Sequence, residues 1–154
     1  MRSAVVLLTL MLCASAHSAV LSDMDRERLL DNVLKNFWGQ AKLSNGQVAR
    51  PASEAERNVA PVSRVMAFRA MDAGEVSGLG EWCKLDWESH YMALTRAARD
   101  RKLNDTQVAF VSFLHGAAQG SIASAMAKSS CTDDQRGKVQ QMLEHSKRRG
   151  VEGT

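Results

Sequence analysis

NDTQVAFVSFLHGAAQGSIASAMAK, Asn104 to Lys128, decides the fold. Val108, Val111, Leu114 and Ala118 recur at spacings of three and four, and Phe110 and Phe113 widen the apolar row. That period predicts a helix from Thr106 to about Lys128, capped by Asn104 or Asp105. Apolar side chains cover so much of its circumference that it must lie centrally, surrounded by other elements. Gly116, Gly120 and Ser124 repeat every fourth residue and should admit a neighbouring helix at close range. His115 sits within this apolar stretch.

The surroundings of that helix are helical too. Alanine, leucine, arginine, glutamate and methionine are plentiful, prolines number only 2, and runs of β-branched residues are scarce. A first helix is expected from Met24 to Lys42, with Ser22 or Asp23 as cap. Leu30, Val33, Leu34, Phe37, Trp38 and Ala41 form its inner stripe, and Asp25, Arg26, Glu27 and Arg28 are among its wet residues. Residues 43–60 form a polar connection with Asn45-Gly46 as a turn and a short helical turn after Ser53. A second helix should start with Pro61 in its first turn and run to about Cys83, with Val62, Val65, Met66, Arg69, Ala70 and Ala73 on one face. Gly74, Gly78 and Gly80 either break it or let a neighbour approach. Asp86 caps a third helix, Trp87 to Lys102, and Thr132 with Gln135 makes a capping box for the last, Asp133 to Arg149. The expectation is an all-α, single-domain bundle of about five helices over residues 20–150, with a tail that frays from Gly150.

The N-terminus changes how the cysteines are read. Arg2 is followed by an apolar run of about nine residues, Ala4 to Leu12, and by the small residues Ala14-Ser15-Ala16. This is the build of a signal peptide over residues 1–19, cleaved near 16–19, and the run is too short for a membrane span, which needs roughly twenty residues. Nothing later in the chain is apolar enough to span either. The expected location is therefore periplasmic or secreted. Cys13 leaves with the leader, and Cys83 and Cys131 remain for an oxidising compartment, where two lone cysteines pair. Such a bridge would staple one end of the bundle. The formal net charge is +3, falling to +2 without Arg2, which gives no reason to expect a nucleic-acid partner.

Side chains with chemistry are dispersed. His90, His115 and His145 fall on three different predicted helices, and no pair has the spacing that places two metal ligands on one helix face. Phosphate-loop, haem-attachment and nucleophile-elbow motifs are absent, so no cofactor and no metal are expected. The densest cluster is Glu81, Trp82, Asp86, Trp87, Glu88, His90 and Tyr91, around Cys83. One reading makes it a binding surface, since Trp and Tyr are enriched where proteins meet. The plainer reading has Asp86 capping a helix, Trp87 and Tyr91 in the core, and the glutamates in water. A competing class is a small enzyme or metal-binding protein using His90, Glu88 and His115, with the two histidines and a carboxylate meeting in a cleft.

Leader, size, helices and a single cystine give the chain an outline that resembles small exported helical proteins of Gram-negative bacteria, among them the periplasmic immunity proteins that block type VI secretion amidases. The resemblance is one of architecture, and it implies binding to a protein partner, in an inhibitor- or immunity-like role, rather than catalysis. Self-association into a homo-oligomer is compatible with the same outline.

Overall fold

The computed structural model describes residues 20–151. The leader expected at 1–19 and residues 152–154 lie outside the described residues. The elements in order are α1 (Asp23–Phe37), the single-turn α2 (Glu54–Arg57), α3 (Arg64–Trp82), α4 (Trp87–Asp100), α5 (Asp105–Met126) and α6 (Asp133–Arg149). Among the described residues, five long helices and a one-turn helix thus make an all-α domain. Among the described residues no helix is long and apolar enough to cross a membrane.

Local chemistry sets most helix starts. Ser22, Ser53, Ser63, Asp86, Asn104 and Thr132 each accept an N–H from the first turn of the helix they precede. Asn104 with Gln107 and Thr132 with Gln135 close full capping boxes. Two boundaries differ from the sequence reading by more than two residues. α1 stops at Phe37, because Trp38 is extended and Gly39 has φ +87°. The chain then folds into a small hairpin in which Gly39 N–H donates to Ala49 O and Ala49 N–H to Ala41 O, with Asn45-Gly46 at its turn. Ala41 is buried there instead of on a helix. α3 begins after Ser63, not at Pro61, whose carbonyl oxygen accepts from Gln107 Nε2 at 3.0 Å.

The packing centre is a pair, α3 against α5. Gly74 and Gly78 resolve the question of the glycine-rich stretch: the helix continues unbroken and they form its contact face. A Cβ at Gly74 would strike the His115 carbonyl and lie 2.9 Å from Ala118 Cβ, and one at Gly78 would lie 2.7 Å from Ile122 Cβ. Real Cβ contacts are never this short, so glycine is what permits the approach. The small-residue row expected to serve this purpose on α5 does not. Gly116, Gly120 and Ser124 are exposed, and a Cβ at either glycine would meet nothing within 4 Å.

The main core gathers Phe37, Met71, Leu94, Phe110, Val111 and Leu114, with Phe37 edge-on to Phe110 at 4.9 Å. A second cluster, Cys83, Val139 and Leu143, seats α6 on the end of α3. The Cys83–Cys131 disulfide closes that end, with a Cα–Cα distance of 5.1 Å. The expectation of a frayed tail does not hold at its first residues. Gly150 takes φ +55°, its N–H bonds to Ser146 O, and Val151 is buried in the main core.

Candidate functional site

Ser77 projects from the middle of α3 into the interior, where His90 of α4 and His115 of α5 reach it from either side. Ser77 Oγ lies 2.7 Å from His90 Nδ1 and 2.9 Å from His115 Nε2. The three side chains are sealed from solvent, at 0%, 1% and 2% exposure. A hydroxyl carries one proton, so a relay satisfies all three: one imidazole donates its N–H to Oγ, and Oγ donates to the bare nitrogen of the other. The ring that accepts from Oγ must be neutral. Burial pushes the pKa of each histidine down to about 4, helped at His90 by Lys147 and at His115 by His90.

His90 and His115 are therefore brought together, but through a serine and not through a carboxylate in a cleft. Glu88 is exposed on the first turn of α4 and does not join them. A serine beside a histidine can serve as an activated nucleophile only where a substrate reaches its oxygen, and Ser77 is closed off. Among the described residues no group of three His, Cys, Asp or Glu side chains is placed to hold a metal ion. The arrangement works as an internal polar latch joining α3, α4 and α5.

The rest of the Glu81–Tyr91 cluster is spread around the α3–α4 corner. Asp86 caps α4, and the hydrogen bonds from the Ser89 hydroxyl and N–H hold its carboxyl below the ordinary value. Trp82 is half-buried on the second core cluster and donates Nε1–H to Ser129 O at 2.9 Å. Trp87 is half-buried, and exposed Glu81 accepts from Gln119 Nε2 at 2.8 Å. Tyr91 lies 4.9 Å from the His115 ring and lines a surface depression with Lys42, Arg99 and Phe113. Of the cluster, Glu81, Asp86 and Glu88 are exposed, Trp82, Trp87 and Tyr91 are half-buried, and His90 is sealed inside.

Comparison of the chain with protein-family models, curated proteins and solved structures finds no match in any of the three.

Two features escaped the sequence reading. The first is a charged cluster. Arg26, expected on the wet face of α1, is 6% exposed, and its Nη2 lies 2.5 Å from both Asp72 Oδ1 and Glu75 Oε1. Glu75 Oε2 accepts the backbone N–H groups of Val20 and Leu21 at 2.7 and 3.2 Å, which docks the chain ahead of α1 onto α3. An arginine inside a run of charges has no period to mark it as buried, and its partner Glu75 lies in a helix that also carries Arg69, Asp72 and Glu81. The second is an open apolar groove between α1 and α5. It has a volume of about 440 Å³ and is lined by Leu29, Asn32, Val33, Phe113, Gly116 and Ala117.

Proposed function

We propose that this is an exported helical protein that acts by binding another protein, in an inhibitor- or immunity-like role, and that the α1–α5 groove receives an apolar helix of that partner. The observation that supports this most is the contrast between the two sets of glycines. Gly74 and Gly78 are required by the chain's own packing, whereas Gly116 and Gly120 face open space beside the groove. Each glycine in a helix costs up to about 1 kcal/mol against alanine. No contact within the molecule offsets that cost on α5, while a partner helix lying along it would. The walls suit such an occupant, with apolar Leu29, Val33 and Phe113 inside and Asn32 and Asn36 as polar groups beside them. Export is supported by the leader pattern and by the cystine.

The test exploits the empty space above Gly116. Gly116→Leu and Gly120→Leu fill the groove's edge without touching the core, so thermal stability should hold or rise. Capture of a partner from periplasmic extract should be lost in these variants and kept in Lys138→Glu, a surface change on α6. Equal capture by all three overturns the groove assignment. Reversible dimerisation of the wild type in sedimentation experiments, abolished by Gly116→Leu, would make a second copy the occupant and overturn the heterologous partner.

A further inference from the structure

A separate cavity of about 190 Å³ lies where the start of α1, the middle of α3 and the end of α6 meet. Arg26, Arg69, Arg149, Asp72 and Glu75 line it on the charged side, and Val20, Val76 and Met142 supply an apolar wall. The acids are already engaged. Glu75 accepts from two backbone N–H groups and from Arg26, and Asp72 pairs with Arg26 at 2.5 Å and faces Arg69 Nη1 at 3.6 Å. The guanidinium groups are not fully engaged: Arg26 Nε and Arg149 Nε are buried without a hydrogen-bond partner. Arg26, Arg69, Arg149 and His145 line it against the two carboxylates, so basic side chains outnumber acidic ones. The two Nε atoms are covered by protein atoms, but among the described residues no carboxylate pairs with the Arg149 guanidinium that lines the cavity.

We propose that this cavity binds a monocarboxylate on a short apolar stem. A carboxylate matches the planar fork of a guanidinium, and the apolar wall suits a ligand with a stem, which a bare phosphate lacks. Val76 and Met142 then cover the stem. The chemistry is shared by a free short-chain organic acid and by a glutamate side chain of a bound protein. This site shares no lining residue with the α1–α5 groove, so either assignment can fail without the other.

Titration with butyrate, followed by NMR of the arginine Nε–H groups, tests it in the processed, oxidised protein. Saturable shifts at the Arg26 and Arg149 signals are expected, with no such response to butyramide, the neutral analogue. Arg149→Gln should weaken binding by about tenfold or more, and Lys147→Gln, the same charge change at an exposed neighbour on α6, should leave it unchanged. N-acetylglutamate 1-amide, titrated in parallel, distinguishes the sources: tighter binding than butyrate favours a protein side chain, and weaker binding favours a free acid. Shifts that stay linear in butyrate, or equal weakening by Arg149→Gln and Lys147→Gln, would overturn the proposal.

Discussion

Ser77 Oγ is a single oxygen on which three helices depend. It can donate to only one of His90 and His115, and that ring must be neutral; pKa values of about 4 for both, against an ordinary 6.5, set the pH window. Well above pH 6.5 folded and unfolded chains alike carry neutral rings. As pH falls from there towards about 4, the unfolded chain takes up protons that the folded chain refuses, so stability declines. The decline levels off for these two groups once pH is below about 4, and each accounts for at most about 3 kcal/mol. Urea denaturation at a series of pH values should show this slope, and His90→Gln with His115→Gln together should flatten it between about pH 6.5 and pH 4. Identical slopes in the two proteins would remove the histidines from the account. A different residue-scale effect belongs to Glu75. Neutralising it in Glu75→Gln leaves Arg26 buried against a single remaining acid, Asp72, and weakens the hold on Val20 and Leu21. A loss of about 3 kcal/mol is expected from denaturation curves, together with faster amide exchange at residues 20–22.

At the scale of elements, the α3–α5 contact decides how closely the bundle packs, and its glycines give opposite predictions for one chemical change. Gly74→Ala forces a methyl onto the His115 carbonyl and Ala118, and should destabilise by about 1–3 kcal/mol. Gly116→Ala meets nothing and replaces a poor helix former by the best one, so it should stabilise by up to about 1 kcal/mol. Thermal melts of the two variants moving in the same direction would refute the packing account. The same contact shows what the sequence made legible and what it did not. Caps are local chemistry, so Asn104, Asp86 and Thr132 could be read from neighbouring residues, and the α6 limits agree at both ends. Which face of a helix turns inward depends on its neighbours, and there the pattern misled. Val65, expected inside, is 56% exposed, and Trp87 and Tyr91 yield the α4 interior to His90 and Thr95. α3 is covered on so many sides in its second half that it has no apolar stripe to find; its inner residues are glycine, serine and glutamate. Of the candidate site, His115 was marked by its apolar context and His90 by its neighbours. Their meeting at Ser77 depends on two helix pairings that no local spacing encodes.

For the whole molecule, the question is what keeps α6 in place. Its own apolar contribution is small: Val139 and Leu143 are its buried hydrophobic side chains, and the rest of its length is largely polar. Two devices supplement them. Arg136 Nη1 donates to Cys83 O at 2.6 Å, and the Cys83–Cys131 bridge joins the start of α6 to the end of α3. The bridge spans 48 residues, a loop that includes all of α4 and α5. Closing a loop of that size removes enough unfolded-state entropy to stabilise by about 4 kcal/mol, an upper figure since any native strain subtracts. That is a large part of the 5–15 kcal/mol typical of a domain, so reduction should be felt throughout the fold. Cys83→Ala with Cys131→Ala should lower the unfolding free energy by about 2–4 kcal/mol. Amide exchange should rise first in α6, because it is the element that leans most on the bridge. Alkylation followed by peptide mass mapping should find Cys83 and Cys131 blocked before reduction and labelled after it. Uniform loss of protection across α3, α5 and α6 would mean that α6 unfolds only with the core. In that case Val139, Leu143 and Val151 would suffice to dock it, and the cystine would act on the unfolded chain alone.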